Sequence, residues 1–242
     1  MKVIKGPLPK TPAAWRSVYA ALKQARERTQ APVDIEGAET LADTQSPPKV
    51  MRFQTLVGLM LSSQTKDPVT AAAMTRLKEK GLSVSEIREM TEDEISQLIY
   101  PVSFYKTKAR HIKKTAEKLH EDHEDDVPDS IEELLELPGV GPKMSYLCLS
   151  LCYGKVEGIA VDTHVHRICN RLGWVQSKTP EQTRVQLQSW LPREYWSEIN
   201  LTLVGWGQTV CKPVKPLCDL CPAKADCPTG RSTKQKKTKP KA

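Results

Sequence analysis

The 242-residue chain has no apolar run near the roughly 20 residues that a membrane-spanning helix requires. Its first residues, MKVIKGPLPKTP, carry two lysines but no apolar stretch, so they do not read as a secretory signal. Strand-like alternation, hairpin turns and internal repeats are also missing, which excludes sandwich, barrel and solenoid architectures. The seven cysteines are odd in number, and without a secretory signal a disulfide framework is not expected.

What is present is ordinary for a globular protein: 39% apolar and 27% charged residues, in a length that suits one large or two small domains. The net charge of +7 favours a polyanionic partner. Part of that excess sits in 231-RSTKQKKTKPKA-242, which reads as a disordered basic tail.

Nearly every other segment reads as helix. Val50, Phe53, Leu56, Val57, Met60 and Leu61 make a wide apolar face. Asp67-Pro68 reads as an N-cap followed by a first-turn proline, with Gly81 as the stop. Thr91-x-x-Glu94 and Ser130-x-x-Glu133 read as capping boxes, and Thr179-Pro180 opens a later helix. Tyr105 to Leu119 is a basic amphipathic helix, and residues 30–48 read as a loop or linker. The expected class is all-α.

The centre reads 131-IEELLELPGVGPKMSYLCLSLCYG-154, a helix–hairpin–helix. Gly139, Val140 and Gly141 can leave backbone N–H groups bare beside a helix start, which suits a DNA phosphate; a hairpin used only for packing is the alternative. Lys143 follows in the first turn of the second helix. There the positive end of the helix dipole and partial burial favour the neutral, nucleophilic amine, and a phosphate-contacting surface lysine is the alternative. Asp162 precedes an amphipathic helix and can cap it while one oxygen faces developing positive charge on a sugar. His164 and His166 diverge on that helix, which argues against a metal pair. His164 is read as touching DNA and Arg167 as reaching phosphate.

Cys211, Cys218, Cys221 and Cys227 are spaced C-x6-C-x2-C-x5-C. Structural zinc usually takes two close pairs, whereas one pair flanked by wider gaps suits a loop around a cuboidal iron–sulfur cluster. Zinc remains the alternative. Cys148, Cys152 and Cys169 read as buried thiols.

The hairpin with Lys143, the VDTHVHR segment with Asp162 and the four-cysteine spacing together resemble the endonuclease III branch of helix–hairpin–helix DNA glycosylases, over roughly residues 15–230. The resemblance implies a six-helix barrel domain over 47–157, with the helix–hairpin–helix at 131–152, and a [4Fe-4S] cluster domain over 158–230. An N-terminal segment, 1–46, would pack with the cluster domain. It implies base excision repair of oxidised pyrimidines, such as thymine glycol and 5-hydroxycytosine, in double-stranded DNA. Lys143 would be the Schiff-base nucleophile, and strand cleavage 3′ to the abasic site would follow by β-elimination. Asp162 would assist departure of the base and activate the lysine. Gln64 would fill the hole left by the flipped base. Phe104 would be an apolar wedge or else a core residue, with Tyr105 beside it on the DNA side; Ser103 stands where the family carries glycine. Lys212 and Lys215 would press on phosphates from the cysteine loop. A monomer located in the nucleus and also the mitochondrion is expected. The alternatives are a monofunctional mismatch glycosylase and a catalytically idle DNA-binding module.

Overall fold

The structure, a computed structural model, describes residues 9–232. From residue 233 on, the basic tail lies outside them. Among the described residues there are helices, turns and no strand. None of these helices is long and apolar enough to cross a membrane. The described residues divide into two compact units, 32–160 and 9–31 with 161–232.

Helix α1 (Trp15–Glu27) belongs to the second of these. The 32–160 unit holds α2 (Pro32–Glu36), α3 (Pro48–Ser62), α4 (Asp67–Lys80), α5 (Val84–Glu89), α6 (Glu92–Ile99), α7 (Tyr105–His123), α8 (Ile131–Glu136) and α9 (Pro142–Tyr153). Its core takes the apolar face read from the sequence of α3, with Phe53, Leu56 and Leu61 wholly enclosed among Met74, Leu77, Ile95, Ile99 and Ile112. Caps decide several helix starts. Thr91 and Glu94 form a reciprocal capping box, as do Ser83 and Glu86, a box the sequence reading missed. At α8 only half the box forms. Ser130 accepts from the Glu133 amide and donates to its carboxylate, but that carboxylate does not return to the Ser130 amide. Asp67 is not a cap: Lys66 is, and Asp67 stands in the first turn, where a carboxylate suits the positive helix end.

Residues 32–46 differ from expectation. They are not a linker, and they pack in the 32–160 unit through α2 and a 3-10 turn at Ala38–Thr40. Ala38 is buried over Gly58, the Asp43 amide donates to Gln54 Oε1 at 2.7 Å, and Lys78 Nζ donates to Leu41 O at 2.9 Å. The prolines and glycine that read as flexibility shape a tight wrap over α3 and α4 instead.

The other unit adds α10 (Thr163–Arg171), α11 (Pro180–Gln188), α12 (Ile199–Thr209) and α13 (Pro228–Ser232) to α1. An aromatic cluster holds it together. Trp15 meets Trp190 and Tyr195 edge-on at 5.6 and 5.1 Å, and Trp174 meets Trp190 at 6.0 Å.

Candidate functional site

In the 32–160 unit the hairpin turn joins α8 to α9. Gly139 takes φ +79°, where a Cβ would also collide with the His111 ring of α7. Open space lies beside Gly141, the N-cap of α9. The N–H groups of Gly139 and Gly141 have no acceptor among the described residues. Val140 differs from the expectation of a bare DNA-facing residue. Its amide donates to Leu137 O at 3.1 Å and its side chain is buried in the core. The turn therefore offers two amides, because closing it consumes the third. Gly139→Ala should weaken binding to duplex DNA by about tenfold, from backbone strain and a displaced His111. Fluorescence anisotropy checks this, and unchanged affinity would show that the turn only packs.

Lys143 stands in the first turn of α9, half-buried. Its electrostatic neighbour is Glu39, in the 3-10 turn, whose carboxyl is pushed up by burial and drawn down by Lys143. No signal in the sequence pairs these two.

Gln64 and Phe104 share an unusual property. Both are non-glycine residues with left-handed backbones, φ +54° and +58°. Both side chains are exposed, Phe104 by 64%, so it is not a core residue. Ser103 is not among the positive-φ residues, so the glycine of the family pattern is not required there. Tyr105 opens α7, packs on the core and meets Tyr100 edge-on at 5.4 Å. Sequence reasoning missed Lys108, which is buried in α7. Its Nζ donates to Leu61 O at 2.7 Å, Ser63 O at 2.6 Å and Thr65 Oγ1 at 3.2 Å. Burial pushes this ammonium down to about 8.

In the other unit Asp162 is the N-cap of α10, its Oδ1 accepting from the Val165 amide at 2.8 Å. The two histidines do diverge. His166 Nδ1 meets Thr183 Oγ1 at 2.6 Å, while His164, half-buried, packs against Gly207 and lies 3.2 Å from Arg167 Nη2. Arg167 does not point to phosphate. Its guanidinium donates to Cys211 O at 2.9 Å and Gly207 O at 3.2 Å.

Cys211, Cys218, Cys221 and Cys227 line one cavity, with about 430 Å³ of empty space including its mouth, among Leu22, Ile168 and Trp206. None of the chain's cysteines is in a disulfide. Cys148 and Cys169 are buried, whereas Cys152 is only half-buried, its sulfur 3.8 Å from that of Cys148. Among the described residues no three His, Cys, Asp or Glu side chains converge on a single ion position. Four thiols lining one cavity are the donor set of either a polynuclear cluster or a lone zinc. The lining is suited to an anionic occupant. Arg171 Nη1 lies 3.3 Å from Cys211 Sγ, and the Gly230 amide donates to Cys227 Sγ at 3.4 Å. The buried indole N–H of Trp206 favours the charged form of Cys221 without making a hydrogen bond of normal geometry. Burial nevertheless pushes the Cys221 thiol up. Arg171 also holds the loop that follows, donating to Lys212 O at 2.8 Å and Pro213 O at 2.9 Å. Lys212 and Lys215 are exposed on that loop.

Residues 57–193 match the HhH-GPD superfamily base excision DNA repair protein family. Endonuclease III-like protein 1 of Gallus gallus is 49% identical over 222 residues, covering 91% of this chain and 79% of its own length. The Mus musculus protein of the same name is 50% identical over 222 residues, covering 91% and 74%. A solved structure of a trapped endonuclease III–DNA covalent intermediate, an estranged-adenine complex, is similar with a TM-score of 0.76 and 28% identity, over 89% of this chain and 96% of that one.

Proposed function

The chain belongs to the HhH-GPD superfamily of base excision DNA repair proteins, in its endonuclease III branch, and we propose that it is a bifunctional DNA glycosylase and abasic-site lyase for oxidised pyrimidines. Membership makes it a base excision repair glycosylase; the lesion class and the lyase step are the proposal. Lesions of the thymine glycol and 5-hydroxycytosine type in duplex DNA are the proposed substrates of a monomeric enzyme, located in the nucleus and also in mitochondria.

The observation that carries this reading is Lys143, the first-turn lysine of α9 directly after the Gly139–Gly141 turn. A relative trapped covalently on DNA supports an enzyme-bound intermediate in this chain also. In the proposed reaction the Lys143 amine attacks C1′ of the extruded nucleotide and the base departs with the bonding pair. The nitrogen lone pair then opens the C1′–O4′ bond, O4′ taking a proton to become a hydroxyl. The resulting protonated imine acidifies the neighbouring C2′ proton, and its loss expels the 3′ phosphate. Asp162 stabilises positive charge on the sugar and moves protons. Gln64, an exposed amide able to donate and accept, fills the vacated stack, and Phe104 wedges it open. The two glycine amides of the hairpin take a phosphate, and Lys212 and Lys215 add sequence-independent attraction.

The cysteine cavity is proposed to hold a [4Fe-4S] cluster, one thiolate from each of Cys211, Cys218, Cys221 and Cys227 to each iron. When bound, the cluster supplies rigidity and no step of base removal. Arg171, the Gly230 amide and Trp206 surround the cysteine sulfurs that would hold it with positive charge and donors.

Asp162→Asn separates capping from chemistry. Asparagine caps as well as aspartate, so the melting temperature should hardly move, whereas single-turnover excision of thymine glycol should fall by about 10²–10⁴-fold. An unchanged excision rate would reduce Asp162 to a cap. The experiment that tests the whole reading is borohydride trapping on duplex DNA carrying one thymine glycol.

A further inference from the structure

A buried lysine is costly unless its donors are all engaged. Lys108 meets that condition with neutral oxygens only. Leu61 O lies at the C-terminal end of α3, where carbonyls lack helical partners and the dipole favours a cation. Ser63 O and Thr65 Oγ1 belong to the loop on either side of Gln64. The same residue's backbone amide donates to Phe104 O at 3.0 Å, closing the first turn of α7. One residue thus binds, through side chain and main chain, the segments carrying Gln64 and Phe104. Those are two of the five non-glycine residues with positive φ among the described residues, and both side chains are held outward into solvent. A backbone in a sparsely populated region persists only where its surroundings over-determine it. The loop closes on itself through the Thr65 amide to Ser62 O at 3.1 Å and the Thr65 hydroxyl to Ser63 O at 3.2 Å, and its ties to the rest of the unit converge on one ammonium.

We propose that Lys108 is a positioning residue for base extrusion, holding Gln64 in its left-handed, outward conformation and tying it to the wedge at Phe104. This rests on the glycosylase reading above and on the roles given there to Gln64 and Phe104. Lys108 is buried, so it acts through the two segments it holds. Its effect is to present two side chains without an ordering cost at the moment of extrusion.

The test compares Lys108→Met, which keeps volume and removes the donors, with Thr65→Val, which removes the longest of the three contacts together with the Thr65 Oγ1 hydrogen bond to Ser63 O at 3.2 Å. Two substrates are used: thymine glycol paired with adenine, and thymine glycol opposite an abasic site. In the second there is no partner base to lose and extrusion is easy. Single-turnover excision from the paired duplex should fall by on the order of 10²-fold in Lys108→Met, and by a smaller factor in Thr65→Val. On the second substrate both variants should come within a few-fold of wild type. Amide exchange in both variants should rise over residues 61–66 and remain unchanged in the core of α3. Equal losses on the two substrates would mean a purely structural lysine, and wild-type rates on the paired duplex would remove the proposal. Should Lys108→Met fail to fold, the same comparison in Thr65→Val decides. Wild-type protein that excises thymine glycol from neither duplex would overturn the glycosylase reading instead. In that case unchanged exchange over residues 61–66 would separately overturn the anchoring role.

Discussion

Lys143→Gln protein is expected to form no borohydride-trapped complex with thymine glycol DNA and to lose strand cleavage by on the order of 10⁴-fold, while still binding the duplex. The expectation follows from the position of the amine. Glutamine keeps a polar side chain, one atom shorter, but has no nucleophilic nitrogen. The substitution removes a cation from the N-terminal turn of α9, where the helix dipole disfavours one, so it should not weaken the helix. The half-buried Glu39 loses the charge that draws its carboxyl down, and that carboxyl should shift further upward. The hairpin amides of Gly139 and Gly141 are untouched, which is why binding survives. Three other results would each redirect the reading. A trapped complex that persists in the variant would move the nucleophile to another amine. Base excision without trapping by wild-type protein would indicate a monofunctional glycosylase. Binding without excision would indicate an idle DNA-binding module.

Cys221→Ser, or removal of iron by a chelator under reducing conditions, is expected to abolish visible iron–sulfur absorption and open the chain beyond Val210 to proteolysis. Residues 211–230 hold only a 3-10 turn at Cys218–Leu220 and the short α13. Their larger apolar side chains do not make a core: Val214 is 75% exposed and Leu220 69%, and the small Ala223 is buried. A segment with so little buried surface needs a covalent or coordinate constraint to stay folded. Protein-side ties exist, from Arg171 to Cys211, Lys212 and Pro213 and from Arg167 to Cys211 O, but these gather on residues 211–213 at the start of the segment. Loss of the cluster should also weaken DNA binding, because Lys212 and Lys215 would no longer be held on one loop. Cys152→Ser, which leaves the cavity lining intact, should retain iron and absorption. An iron-free protein with unchanged proteolysis and excision would remove the cluster from the proposal, and one zinc per chain would replace it with the alternative.

The features legible in the sequence are those encoded over a few consecutive residues. The Thr91–Glu94 box, the glycine turn before Lys143, the Asp162 cap and the spacing of four cysteines each depend on neighbours one to seven positions apart. Local hydrogen bonding and chain geometry determine them whatever the rest of the chain does. The tertiary structure alone decided which unit takes residues 32–46, since that follows from Ala38 lying over Gly58 and from Lys78 reaching Leu41. It also decided that Val140 turns inward, that Arg167 and Arg171 hold the cysteine loop, and that Phe104 stays exposed. Lys108 makes the contrast plainest. In sequence it is one of several lysines on a basic helix, and only the approach of the end of α3, more than forty residues earlier, makes it a buried anchor with three acceptors. Long-range packing assigns such roles because a charged side chain takes its function from the groups that replace its water.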